Sequence, residues 1–324
     1  MVNSHYLKQI TKNKLLIIII LPFIILNYVA WSHAHAMMYF STGERTSKPE
    51  DLSMLGKLNI LFTGVNVPRP ENTNTPADYD LSFETHKFTN ESGYMLETWY
   101  IPEDVTNKTI IIFHGYASSK KSLISLAIKF KALKYSVLLV DFYGSGGSSG
   151  NSTTIGLKEA SDVTASVKYI REKWPNNSIT LYGVSLGGAA ILRAVAIDKI
   201  TPEAIILENV FDSMLNTVRN RFKAMKLPSF PSAELLVFWG GWQQGFNGHL
   251  HNPFEYARKV NCPTLVLHGK LDSTVSTEEA KNIFNNLNGK KKFIAYDDVG
   301  HEMLATSKKS EAWLEDVKKF ISSE

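Results

Sequence analysis

From residue 81 onward the chain alternates short apolar, β-branched runs with stretches of helical spacing, and that rhythm leaves few folds open. Strand-like runs fall at 81–88, 94–101, 109–113, 136–141, 179–182, 204–207, 264–267 and 292–296. Helical spacing fills 122–133, 157–173, 187–197, 277–287 and 311–321. A run such as Thr109-Ile110-Ile111-Ile112-Phe113 has no polar face, so a strand made from it must be covered on both sides. Strand and helix in turn predict an α/β domain, with a mostly parallel central sheet and helices on both faces. The first two runs read as paired strands around the turn Asn90-Glu91-Ser92-Gly93.

The alternation breaks between residues 209 and 259, where seven aromatics from Phe211 to Phe246 lie among several Gly and Pro residues. This predicts an aromatic-rich cap, about 211–257, inserted over one end of the sheet. Residues 41–80 carry Pro68, Pro70 and Pro76 and many Asn, Thr and Ser; they read as a linker with one short amphipathic helix at 52–62. The expected organisation is therefore an N-terminal membrane or signal segment (1–40), a linker (41–80) and one catalytic-sized domain (81–324). A length of 324 residues is compatible with a single α/β unit.

Residues 15–31 read LLIIIILPFIILNYVAW, seventeen residues without a charge. As a helix this run is about 25 Å long, just short of a ~30 Å hydrocarbon core. Lys8, Lys12 and Lys14 precede it, whereas His33 and His35 are the only basic residues in the next dozen. The positive-inside rule then keeps the N-terminus cytoplasmic and places the domain on the other side of a single membrane helix. Ala34-His35-Ala36 also fits a signal cleavage site, so a secreted or periplasmic domain cut near Ala36 is the alternative.

Composition excludes several function classes. The net charge of +4 is small, and the lysines (Lys120 and Lys121, Lys290 to Lys292, Lys308 and Lys309) are scattered as solvated faces, which does not suit nucleic-acid binding. Cys262 is the only cysteine, so no intrachain disulfide or cysteine-rich metal site exists; before Pro263 it reads as a packed thiol. His33 with His35 and His249 with His251 lack carboxylate or thiolate partners at useful spacing, so no metal is expected. The glycine-rich stretch from Asp141 to Gly150 lacks a Walker lysine and the G-x-G-x-x-G spacing, which argues against a nucleotide cofactor.

Chemistry concentrates at Gly183-Val184-Ser185-Leu186-Gly187, a G-x-S-x-G sequence where a strand hands over to a helix. A serine on so sharp a turn is held in strained backbone geometry, and the flanking glycines remove Cβ atoms that would strike the neighbouring strand and helix. Its hydroxyl needs a base, and the base needs an orienting carboxylate. Chain order in such sites is Ser, acid, His, and His301 is the histidine that lies beyond a suitable acid. Asp272, on the loop after 264–267, is the expected acid; Glu208 and Asp212, after the preceding strand, are possible substitutes. The Tyr116 amide, after His114-Gly115, and the Leu186 amide are the expected oxyanion donors, with His114 supporting their loop.

Five segments in order, IIIFHGYASS, DFYGSGGSSG, LYGVSLGGAA, VLHGKLDSTV and VGHEML, resemble the α/β-hydrolase superfamily over residues 81–323. With AIILENVFDS and the N-terminal segment, the chain is similar to membrane-bound serine hydrolases of prolyl-oligopeptidase-like or serine-aminopeptidase-like type. The resemblance implies an α/β-hydrolase fold and an acyl-enzyme formed on Ser185, with His301 as general base and Asp272 orienting it. The cap aromatics favour a partly apolar, lipid-like ester or thioester as substrate if they line the pocket, while packing the cap onto the sheet is the equal alternative. A peptidase with the same triad, and a non-catalytic binding protein on the same fold, are the other two readings. Acyl group, leaving group and oligomeric state are not legible.

Overall fold

A computed structural model describes residues 3–47, 53–104 and 106–323, with side chains of the first helix described at Ile18 and from Ile20 on. The chain opens with a long helix α1 (Asn3–Met38) and a short one, α2 (Met54–Thr63). The strands are β1 (Glu84–Thr89), β2 (Met95–Ile101), β3 (Lys108–Phe113), β4 (Ser136–Val140), β5 (Ser178–Val184), β6 (Ala204–Glu208), β7 (Thr264–Gly269) and β8 (Lys291–Tyr296). Between and after them run α3 (Ile124–Ala132), α4 (Ala160–Lys173), α5 (Leu186–Arg193), α6 (Met214–Ala224), α7 (Ser232–Gln244), α8 (Pro253–Ala257), α9 (Thr277–Asn286) and α10 (Ser310–Ile321).

The strands form one eight-stranded sheet in the order β1-β2-β4-β3-β5-β6-β7-β8. β1 with β2 and β2 with β4 pair antiparallel, and the remaining neighbours are parallel. Every residue of β4, β6 and β7 is buried, which explains their unbroken apolar sequences. Alternate residues serve opposite faces. Ile111 and Phe113 of β3 join the core under α4, α5 and α9, whereas Ile110 and Ile112 join the core under α3 and α10. The chain order reverses at β3: β4 lies to one side of it and β5 to the other. Such a reversal leaves a crevice at the carboxyl ends of the two strands, where the β3 and β5 loops meet.

The cap is made of α6, α7 and the turns around them. Its aromatics divide: Phe230, Phe238 and Trp242 are 76%, 49% and 64% exposed, whereas Phe211, just before α6, lines the cavity beside Ser185. The buried side of α7 is covered by α1. Ala30, Ala34 and Met38 of α1 are buried, and a Cβ added at Gly240 would lie 3.7 Å from Met38 and 3.9 Å from Ala34. Polar contacts fix the register. Trp239 Nε1 donates to Asn27 Oδ1 (3.2 Å), Gln243 Nε2 donates to the Trp31 carbonyl (3.0 Å), and His35 Nδ1 meets Gln243 Oε1 at 2.9 Å.

The segment expected as a linker is tied to the domain at Arg69. The Arg69 guanidinium donates to the carbonyls of Gly150, Gly146 and Ser148 at 3.0, 2.8 and 2.6 Å, strapping this segment to the loop after β4. Lys8, Lys12 and Lys14 and the first residues of the apolar run lie outside the described side chains. Among the described residues, no helix is long and apolar enough to cross a membrane.

Candidate active site

Ser185 sits between β5 and α5 with φ 50° and ψ −109°, a conformation costly for any residue with a Cβ. The turn is forced by close packing. A Cβ on Gly183 would fall 2.4 Å from the Gly188 nitrogen, and one on Gly187 would fall 2.5 Å from the Phe113 carbonyl of β3. The Ser185 amide donates to the Glu208 carbonyl (2.8 Å), pinning the turn to the end of β6.

Of the three carboxylates considered from the sequence, the structure brings Asp272 to His301. His301 Nδ1 donates to Asp272 Oδ2 at 2.5 Å, since only a protonated nitrogen can meet an ionised carboxylate in this way. Asp272 Oδ1 accepts the Thr274 and Val275 amides, each at 2.8 Å, so the carboxylate is fixed by its own loop and its side chain is sealed from solvent. Glu208 is elsewhere engaged: it accepts the Leu304 amide (2.8 Å) and the Tyr182 hydroxyl, and burial pushes its carboxyl up to about 7. Asp212 accepts Asn216 Nδ2 (3.0 Å) and Asn282 Nδ2 (2.9 Å) on the cap side. Asn209, which no sequence motif singles out, joins the two loops: its Oδ1 accepts the Gly269 amide (3.0 Å) and its Nδ2 donates to the Glu302 carbonyl (3.2 Å).

Ser185 and His301 line one cavity of about 300 Å³, with Tyr116, Leu186, Ile155, Phe211 and Met303. The serine hydroxyl and the imidazole share it without a direct hydrogen bond, as is common before a substrate draws such groups together. The Tyr116 and Leu186 amides make no hydrogen bond to a protein oxygen among the described residues and remain available to a ligand. The Tyr116 hydroxyl donates to the Met37 carbonyl of α1 at 2.7 Å. His114 is buried; its Nδ1 donates to the Gly115 carbonyl (2.8 Å) and its Nε2 accepts the Phe142 amide (3.2 Å), so it braces the loop as a neutral imidazole. Burial accordingly lowers its pKa.

Lys120 does not belong to a solvated face. It is fully buried, pairs with Asp141 and with Glu97 (2.9 Å), and lies 4.5 Å from the centre of the Trp99 ring. Burial alone would raise the Asp141 carboxyl, but the Lys120 ammonium outweighs it and holds the pKa below the ordinary value. Asp141 also accepts the Lys120 and Gly147 amides at 2.7 and 2.8 Å, which fills the glycine-rich loop with the protein's own carboxylate. Lys120→Met leaves that carboxylate sealed without its cation and is expected to lower unfolding free energy by about 3–5 kcal/mol. Urea titration at pH 7 measures this; a loss below about 1 kcal/mol would mean that the pair contributes little. The same contribution disappears in acid, as pH falls through the depressed Asp141 pKa.

Comparison with known proteins bears on the fold. A family model described as serine aminopeptidase S33 matches residues 104–224, a stretch holding the serine and both candidate oxyanion amides but neither Asp272 nor His301. The uncharacterized protein YfhR of Escherichia coli K12 is 25% identical over 251 residues, covering 75% of this chain and 81% of that protein. Mouse lysophosphatidylserine lipase ABHD12 is 25% identical over 201 residues, 58% of this chain and 48% of that protein. Among solved structures, the Pyrococcus furiosus esterase Pf2001 superposes with a TM-score of 0.67 at 24% identity, covering 80% of this chain and 97% of that one. With its eight-stranded, mostly parallel sheet and these similarities, the chain has the α/β-hydrolase fold and is similar to hydrolases.

Proposed function

We propose that the protein is a serine hydrolase that cleaves esters or thioesters of partly apolar acyl groups. The observation that carries this reading is the Asp272–His301 hydrogen bond beside the cavity into which Ser185 and two idle amides face. In the reaction Ser185 Oγ attacks the acyl carbonyl carbon while His301 Nε2 takes the hydroxyl proton. Charge moves onto the carbonyl oxygen, where the Tyr116 and Leu186 amides receive it; one such donor contributes roughly 3 kcal/mol to the transition state. Collapse expels the leaving alkoxide or thiolate with the proton from His301, and water deprotonated by the same nitrogen then releases the acid from Ser185.

Ile155, Phe211 and Met303 give the cavity apolar walls for an acyl chain, and an esterase and a lipase stand among the relatives. Peptidase activity is the second reading, supported by the family model's description and by the exposed Glu302 at the cavity, a carboxylate able to meet an α-amine. The test is labelling of the full-length protein with a fluorophosphonate probe, followed by p-nitrophenyl esters of increasing chain length beside aminoacyl p-nitroanilides. Ester turnover with slow or absent anilide turnover supports the first reading; the opposite preference overturns it.

The N-terminal helix bears on where this happens. Among the described residues of α1, Asn27 and Trp31 are used by the cap. Ile18, Leu21, Phe23, Ile24 and Tyr28 are exposed on α1, as are Phe238 and Trp242 on α7. We propose that α1 and this cap face together seat the protein on a bilayer. Purified full-length protein is expected to float with phosphatidylcholine vesicles, and Phe23→Asp with Ile24→Asp to reduce flotation severalfold. Flotation unchanged by both aspartates would rule out this surface.

A further inference from the structure

Arg221 lies in the last turn of α6 and lines the same cavity as Ser185 and His301, its guanidinium carbon 5.5 Å from the centre of the Tyr116 ring. Arg69, Arg171, Arg193, Arg219 and Arg258 each donate to an oxygen. Among the described residues Arg221 donates to none, and no carboxylate pairs with it; its neighbour Arg219 takes Glu234 at 2.6 Å. Taking a guanidinium partly out of water without an anion is costly. The Tyr116 ring and the carbonyls ending α6 offset part of that cost, but neither uses the N–H donors. Burial lowers the Arg221 pKa, and the one group acting against that is the Tyr116 phenol. Exposed Arg45 adds a second positive charge near the same phenol. Glu302, the cavity's one carboxylate, forms no ion pair with Arg221.

A planar fork of donors that is half-buried, unpaired and shares a cavity with the nucleophile fits a two-oxygen anion. We propose that Arg221 is a specificity residue that binds a carboxylate or phosphate carried by the substrate, so that the preferred substrate is an ester with an anionic group near the scissile bond. This rests on the reading of Ser185 as nucleophile. The partner Arg221 lacks in the protein is supplied by the substrate.

Two substrate pairs locate the anion. Mono-p-nitrophenyl glutarate against p-nitrophenyl valerate probes the acyl side; 1-acylglycerol 3-phosphate against 1-acylglycerol probes the leaving side and separates phosphate from carboxylate. In at least one pair the anionic member is expected to have the higher kcat/KM, and Arg221→Gln to lower the anionic-to-neutral ratio by about 30-fold, mainly through KM. Arg221→Lys should restore part of the ratio. Equal losses on both members of each pair, or no anionic preference in the wild type, overturn the proposal. A catalysis-independent readout separates it from the hydrolase reading: glutarate or glycerol 3-phosphate should raise the melting temperature of the wild type and not of Arg221→Gln. Stabilisation without turnover of any ester would sink the hydrolase reading and keep the anion site; turnover without preference would do the reverse.

Discussion

Replacing Ser185 by alanine is expected to remove fluorophosphonate labelling entirely and to lower ester turnover by about 10⁶-fold, to the residual rate that binding and oxyanion donors supply. The fold should not notice. Alanine keeps the Cβ that the turn already accommodates at φ 50°, and the serine hydroxyl makes no hydrogen bond in the protein whose loss would cost stability. The melting temperature should therefore stay within about 2 °C, the effect of a near-neutral substitution. A variant that keeps its activity would move the nucleophile elsewhere; a variant that unfolds would contradict the accommodating turn. Lost labelling in a folded protein is the outcome that supports the mechanism.

Asp272→Asn is expected to lower kcat by about 10⁴-fold with little change in KM. The argument is geometric. Asp272 Oδ1 accepts two amides at 2.8 Å, so the single oxygen of asparagine stays there and its NH₂ faces His301 Nδ1. The imidazole must then accept at Nδ1 and carry its proton on Nε2, the nitrogen that should take the serine proton. The base is present in the wrong tautomer. Asp212→Asn, whose parent carboxylate serves Asn216 and Asn282, should cost less than about tenfold. Kinetics of the two variants on one ester decide the matter, and the reverse ranking would remove Asp272 from the mechanism.

The sheet was legible because buried parallel strands have no polar face; runs such as Ile205-Ile206-Leu207 admit little else. The elbow was legible because the glycines answer contacts between adjoining elements, β5 with α5 and β3. The choice of Asp272 over Glu208 and Asp212 rested only on its loop position, since each follows a strand and the partner of each arrives from a distant loop. Lys120 was misread because a lysine pair looks solvated, while the carboxylates that compensate it stand 21 and 23 positions away. The cap aromatics left two alternatives open for a similar reason. Periodicity can say that one side of α7 is covered, but its cover is α1, over two hundred residues upstream. Arg221 carries no sequence signal at all; what sets it apart is a missing partner.

The seam between α1 and α7 sets what a cut near Ala36, the cleavage site the sequence offers as an alternative, would do. A cut after Ala36 would release Ala30 and Ala34 from the cap and strip the Gln243 side chain of its His35 and Trp31 contacts. The new amino terminus would begin at Met37, whose carbonyl holds the Tyr116 hydroxyl beside the candidate oxyanion amide. Loss of residues 1–36 would thus bare an apolar trough along α7 and loosen the tether of the loop beside Ser185, because α1 packs as a component of the α/β domain.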